Sequence, residues 1–551
     1  MKTLTNGHLP INNKRRLIYL IFTLFIAFFS SSITAAGLEL VKDINTEGSN
    51  SIYNLKAGSE LLFFSAQTEN NSNTRQIWTS DGTASGTLKM TDLDHSVYGF
   101  QLTNGSYQVV NNIYYFSIRR WSDNVYELWR SNGSAEGTFK LIDLPDYLDN
   151  RFQAIGADGL YYFVPWSDPD YGRELWVSDG SVAGTRMVKD INPGSGSSSP
   201  HSLMAVNDRL YFLVGDNIWT SNGTPGGTQV VTSFEESFNG GIRFMTPVND
   251  IIYLGYLRSP VYEFWRYDTN SGQTVLVKHF DAIAYDGQNY AAVGNMLYFI
   301  AKGTGLDSYD LWKSDGTPDG TIVVKKIAET NASYTDWSLT NVNGTLFFRA
   351  NDKEHGWELW KSNGTANSTF MIKDIDEGEY SSRLYCFTAV GDTLFFAEKQ
   401  TDYVTNLWMS DGTEAGTINT DVSVSQLRCP VNFNEQLYFY GSDRTTKDYG
   451  AELYRYNLSD TALSAPEINI ATNGIRVTLS WNSVGNANGY TLFFAPYPFI
   501  GPETIGSFDL DNNTSFSADL WNGAAFYIAV KAYSSDSSSE FSNVGLISIK
   551  K

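Results

Sequence analysis

Carboxylates and large aromatic rings are the residues of this 551-residue chain whose types and spacing could do chemistry. Glu127, Glu174, Glu263, Glu358 and Glu452 each stand two residues before a tryptophan or tyrosine. Two dedicated carboxylates flanking a scissile bond are what glycoside hydrolysis needs. A glutamate that recurs at regular intervals reads instead as a hydrogen-bond or ion-pair partner, so no catalytic residue is assigned. His95, His201, His279 and His355 share no ligand spacing. Asp168/Asp170 and Asp374/Asp376 give a D-x-D fragment without the rest of a calcium loop, so calcium is the only ion hinted at and no metal ligand is assigned. No nucleophile elbow, phosphate loop or zinc motif is present, and no cofactor is implied.

The aromatic rings offer binding chemistry. Of 14 tryptophans, eight belong to a repeat described below and two, Trp481 and Trp521, lie near the C-terminus, which leaves Trp121, Trp166, Trp337 and Trp357. Rings beside carboxylates, as in Trp166-Ser-Asp-Pro-Asp-Tyr171, suit stacking on sugar faces with the hydroxyls bonded at the side. The candidate ligand-binding residues are therefore Trp121, Trp166, Tyr171 and Trp357. The competing reading is that they cover sheet edges, since large aromatics ordinarily bury much of their surface.

What must position these residues is a repeat. Trp78, Trp129, Trp176, Trp219, Trp265, Trp312, Trp360, Trp408 and Tyr454 recur in one frame at intervals of 43 to 51 residues. Around Trp176, strand formers flank Ser178-Asp179-Gly180-Ser181, a turn that becomes Ser-Asn-Gly at Asn132, Asn222 and Asn363. Interchange of Asp and Asn argues for a side-chain oxygen capping the backbone rather than for a metal cage. Upstream of the anchors run Leu-aromatic-Phe triplets such as Leu210-Tyr-Phe212, and before those a further apolar run. Four short strands per unit, repeated about nine times, predict an all-β chain whose main body is a single β-propeller of about nine four-stranded blades.

Leu38-Glu-Leu-Val-Lys-Asp-Ile44 reads as the last strand of a repeat with no repeat before it, and the copy at Tyr454 lacks its own. The N-terminal strand is thus expected to complete the last blade. Turns of constant length fall on one face, and loops of varying length, which hold Trp121, Trp166 and Trp357, fall on the other. Variable loops on a rigid scaffold are where binding tends to be placed.

These copies resemble the repeats of bacterial ELWxxDGT-repeat proteins, secreted or surface chains regarded as propeller-like, over about residues 38–460. The copies at Trp265 and Tyr454 lack the Ser-Asp-Gly turn. Residues 461–551 change rhythm, and Val477-Thr-Leu-Ser-Trp481, Gly489-Tyr-Thr-Leu-Phe-Phe494 and Phe526-Tyr-Ile-Ala-Val-Lys-Ala532 resemble a fibronectin type III domain. That resemblance implies a sandwich with Trp481 in its core facing Tyr490, and a spacer or adhesion role. Phe526 stands where the family usually has a tyrosine.

Residues 1–36 have the layout of a secretory signal peptide: Lys14-Arg-Arg16, an apolar run from Leu17 to Phe29, and small residues before a cut near Ala36. The run is shorter than the roughly 20 residues of a membrane span. The expectation is a chain of domains 1–36, 37–460 and 461–551, located outside the cell or in the periplasm, as a monomer. The formal net charge of −21 includes four positive leader residues, Lys2, Lys14, Arg15 and Arg16, so the remainder is more acidic still and repels nucleic acid. Cys386 and Cys429 stand at equivalent sites of adjacent units, eight residues before Leu394 and Leu437. Equivalent positions on neighbouring strands are expected to exceed the roughly 7 Å that a disulfide spans, so two buried free thiols are expected. The leading functional reading is a binding or adhesion module for polysaccharide or an extracellular protein. The alternative is a polysaccharide-degrading enzyme on the same scaffold, since fold alone does not decide.

Overall fold

The computed structural model describes residues 38–550 apart from 45–51, 68–74, 95, 100–106, 149–153, 156–158, 235–239, 286–287, 307, 328–336, 402–403, 426, 444–450, 458–462, 464, 485–486, 499–503, 534–538 and 540. The described residues are all-β and propeller-like, with antiparallel sheets following one another along the chain, many of four strands and two of eight, and no α-helix. No helix among them is long and apolar enough to cross a membrane.

One unit illustrates why the sequence folds this way. His201–Val206, Arg209–Val214, Asn217–Ser221 and Gln229–Ser233 pair in chain order as a meander. Leu210, Phe212 and Leu213 are buried, and Phe212 pairs across the strands with Trp219. The same pairing recurs at Phe64 and Trp78, Phe116 and Trp129, Phe163 and Trp176, Phe348 and Trp360, and Phe396 and Trp408. Phe299 faces Trp312 and Phe439 faces Tyr454 in the same register, whereas Trp265 faces Leu254. Ring centroids of the Phe348 and Trp360 pair lie 6.4 Å apart, so the anchor extends an aromatic layer through the sheet.

The turns after the third strands carry a repeated network. Asp81 Oδ1 accepts from the Thr83 N–H at 2.8 Å and from its hydroxyl at 2.7 Å, Gly82 N donates to Ser80 Oγ at 3.0 Å, and the Ser80 and Thr87 hydroxyls lie 2.7 Å apart. Asn222 makes the same contact to Thr224, which explains why Asp and Asn interchange. Gly82 has φ 91°, a left-handed conformation that suits glycine. The degenerate turn near Trp265 keeps the cap in another form, with Asp268 Oδ1 accepting from Asn270 N and Ser271 N.

Consecutive units are stitched alike. Lys189 donates to Thr228 O at 2.9 Å, Lys278 to Thr321 O at 3.0 Å and Lys373 to Thr417 O at 2.9 Å. Lys42 donates to Thr87 O at 2.7 Å in the same manner. Lys42 ends the strand Leu38–Lys42, which pairs antiparallel with Glu452–Tyr456, Leu40 facing Tyr454. The expected pairing of the N-terminal strand with the last copy is therefore present.

The two cysteines correct an expectation, because Cys386 and Cys429 form a disulfide with Cα atoms 4.8 Å apart. Cys386 has φ 57° and lies where the register of Leu384–Val390 slips between Tyr385 and Thr388. This bulge disrupts the regular spacing on which the free-thiol argument relied. The neighbouring first strands are also drawn together, since Asn432 Nδ2 donates to Ala389 O at 3.0 Å and Thr388 Oγ1 to Pro430 O at 3.3 Å.

Beyond residue 465 the sheets change. Ile468–Asn473, Arg476–Trp481 and Ser515–Asp519 form one sheet, and Gly506–Asp509, Gly489–Pro496, Ala525–Tyr533 and Gly545–Ser548 form another. Trp481 and Tyr490 are buried with centroids 5.7 Å apart, and the Tyr490 hydroxyl accepts from Val484 N at 2.7 Å. An apolar cavity of about 280 Å³ is lined in part by Phe494, Phe508, Phe516, Trp521 and Phe526.

Candidate ligand-binding face

The position two residues before each anchor is polar in every copy: Gln76, Glu127, Glu174, Asn217, Glu263, Asp310, Glu358, Asn406 and Glu452. Sequence reading found the five glutamates and missed that the frame is shared. Glu174 accepts from Ile191 N at 3.1 Å, Asn192 N at 3.3 Å, Ser198 N at 3.0 Å and Ser198 Oγ at 2.6 Å. Glu358 does the same with Ile375 N at 2.9 Å, Ser382 N at 3.1 Å and Ser382 Oγ at 2.6 Å. Each carboxylate thereby clamps the loop that leaves the fourth strand and leads to the next unit. Glu452 accepts from Ile44 N at 3.1 Å, the same clamp with its loop supplied by the N-terminal strand.

Glu127 and Glu263 use the position differently, accepting from the indole N–H of Trp129 at 2.8 Å and of Trp265 at 3.1 Å. Arg120 and Arg258 pair with them. Burial raises the carboxyl pKa of Glu174 and Asp310, and it pushes Glu358 up to about 7 against the pull of Ser382 and Ile375. The lone pairs of Glu174 and Glu358 are engaged by loop backbone and hydroxyl donors, which makes these groups loop clamps.

The four candidate aromatics divide in two. Trp121, 50% exposed, follows the strand Ile113–Arg120, with the Arg119 guanidinium 5.6 Å from its ring centroid. Tyr171 is 43% exposed, in a loop shaped by Asp168, whose Oδ1 accepts from Asp170 N at 2.9 Å and Tyr171 N at 3.0 Å. Trp166 is half-buried; Tyr147 stacks on it at 5.4 Å and the Arg173 guanidinium lies 3.8 Å from its centroid. Trp357 is half-buried, edge to face at 5.0 Å with the fully buried Trp337. Trp166 and Trp357 thus serve packing with at least part of their surface. Trp121 and Tyr171 expose about half of their surface. Trp166 and Tyr171 share one loop, Trp121 lies in the corresponding loop of the preceding unit, and Trp357 belongs to a unit much further along the chain.

Among the described residues, no three His, Cys, Asp or Glu side chains converge as metal ligands. Asp374 Oδ2 accepts from Gly378 N at 3.0 Å, which holds its own loop. His355 pairs with Asp352 at 2.8 Å, and that hydrogen bond raises the imidazole pKa. Sequence reading also overlooked Arg75, whose guanidinium carbon lies 3.4 Å from the Tyr53 ring centroid.

No family model and no curated protein matches the chain. Among solved structures, it is similar to the β-propeller domain of the trilobed protease from Pyrococcus furiosus at 10% identity and TM-score 0.30, over 68% of this chain and 98% of that one. It is similar to oligopeptidase B from Leishmania major at 8% identity and TM-score 0.39, over 85% of this chain but 58% of that one. The fn3 domain of human collagen alpha-1(XX) matches 16% of this chain and 86% of its own length, at 18% identity and TM-score 0.15. Nothing about the activity of those proteins transfers to this chain.

Proposed function

We propose that this chain is a secreted binding module of the ELWxxDGT-repeat type, which presents the variable-loop ends of its sheets to polysaccharide. The observation that carries this reading is the exposure of Trp121 and Tyr171 on loops that the repeat itself does not require. An exposed ring offers a sugar its apolar face, and neighbouring polar groups such as Arg119 take the hydroxyls.

In this reading nine units close into one ring, with the N-terminal strand completing the last. Support comes from Ile52–Ala57, which touches both Tyr107–Val110 and Val431–Phe433, and from Lys42, which bonds Thr87 as other lysines bond the next unit. The segment from 461 acts as a fibronectin type III-like spacer, supported by the two sheets and by the packing of Trp481 on Tyr490.

Retention on immobilised polysaccharides tests the reading. Trp121→Ala and Tyr171→Ala are expected to cut retention several-fold with an unchanged melting temperature. Retention unchanged in both variants rejects the glycan face and leaves a protein partner.

A further inference from the structure

We propose that the apolar cavity between the two C-terminal sheets is a binding pocket for an uncharged aromatic hydrocarbon group of about two rings. The cavity holds about 280 Å³, and its lining is drawn from every strand of those sheets except Ile468–Asn473. Its floor is built from Val477, Leu479, Leu492, Ile528 and Ile547, all of them buried. Five rings form its wall in unbroken contact. Between centroids, Phe516 lies 5.0 Å from Phe508, Phe508 5.9 Å from Phe494, Phe494 6.3 Å from Phe526 and Phe526 5.6 Å from Trp521.

The exposure of these residues locates an entrance. Trp521 is 63% exposed and Phe508 36%, while Phe494, Phe516 and Phe526 are part-buried. Gly506–Asp509 and Ser515–Asp519, which carry Phe508 and Phe516, are each an edge strand of their sheet. The cavity therefore opens where the two edges meet. Residues two apart on a strand share a face, which sets Phe516, Ala518 and Leu520 in one row along the lining. Alanine in the middle of that row leaves room that a larger side chain would fill. Strand ladders hold the space open, with Leu479 facing Phe516 in one sheet and Phe494 facing Ile528 in the other.

The lining selects the ligand. Its only polar side-chain atom is the indole nitrogen of Trp521, so a charged or hydroxylated group would lose its hydration there and gain no hydrogen bonds in return. This pocket is therefore independent of the polysaccharide reading above. A cavity of roughly 150 Å³ lined by Leu, Ile and Phe holds one benzene, and the space here is about twice that. The wall of rings offers both faces and edges, the surfaces that an aromatic partner contacts in offset-stacked or edge-on packing. Water in an opening without polar partners is poorly held, and its displacement by an apolar group favours binding.

The test is fluorescence titration of the full chain with N-phenylnaphthylamine, a neutral dye that brightens in apolar surroundings, followed by competition with naphthalene, dodecanol and glucose. Saturable binding is expected, displaced by naphthalene, displaced several-fold less well by dodecanol and untouched by glucose. Ala518→Leu, which fills the cavity, is expected to weaken dye binding at least about tenfold without lowering the melting temperature. Trp521→Ala, at the exposed rim where the fold is least at risk, should weaken it several-fold and keeps the test decisive if Ala518→Leu fails to fold. Absence of saturable binding by the folded parent overturns the assignment, as does binding that survives both variants. Displacement by dodecanol as readily as by naphthalene also overturns it, as a hydrocarbon site without preference for rings.

Discussion

Gly82 packs so closely on Tyr438 that an added Cβ would overlap the phenol hydroxyl, and Gly364 packs on Tyr298 in the same way. Gly364 and Tyr298 belong to consecutive units, whereas Gly82 and Tyr438 belong to the first and last. One inter-unit contact thus recurs between consecutive units and between the first and the last. Both glycines also have positive φ, 91° and 84°. Alanine at either position is expected to cost more than about 1 kcal/mol, from the φ penalty and the overlap together. Denaturant melts of both variants check this, and a costly Gly364→Ala beside a harmless Gly82→Ala would deny the closure.

The pairing of Leu40 with Tyr454 makes a stronger demand. Removal of residues 37–46 leaves Glu452–Tyr456 as a bare edge and deprives Glu452 of its Ile44 partner. A single cooperative transition at a temperature lower by ten degrees or more is expected. A truncated chain that melts like the parent contradicts it.

Trp360→Ala and Trp121→Ala separate anchor from loop. Trp360 is 7% exposed and lies against Phe348, so its loss is expected to cost about 3–5 kcal/mol. Trp121, half in solvent, should cost less than about 0.5 kcal/mol. Chemical denaturation of the two variants reads both values.

The disulfide closes a sequence separation of 43 residues. In the chain-entropy account, replacing both cysteines by serine costs about 4 kcal/mol, less whatever structure the reduced unfolded chain retains. Thiol titration of the denatured parent should find no free thiol among Cys386 and Cys429, and two free thiols would restore the sequence-based expectation.

Glu358 gives the protein a pH signature. Burial pushes its folded pKa up to about 7, above the ordinary carboxyl value of 4.5, so the folded state holds a proton that the unfolded state has released between those values. Stability from this group is fully present below the unfolded pKa and is lost as pH rises through the folded one. Glu358→Gln is expected to flatten that dependence, and its stability relative to the parent should rise by up to about 3 kcal/mol between pH 4.5 and 7 and then stay level. Parallel melting curves for the two proteins across that range would show that the carboxyl is not perturbed.

The four-strand unit, the capped turns and the orphan N-terminal strand were legible because each is a local pattern repeated along the chain. Asp81 and Asn222 could be read as backbone caps from their interchange alone, and the contacts to Thr83 and Thr224 have that form. The cysteine pair was misread because the left-handed bulge at Cys386, which recurs at Asn54 and Ser202 in other first strands, departs from regular strand spacing and has no mark in the sequence. The choice between a ligand-facing and an edge-covering Trp166 stayed open in the sequence because neither Tyr147 nor Arg173 is marked there as its neighbour.

A glycan array probed with the intact chain tests the central claim most directly. The account predicts retention of polysaccharide ligands, with signal lost in the Trp121→Ala, Tyr171→Ala double variant. An array without signal for the folded parent, alongside capture of a protein partner by the same loop face, would contradict it.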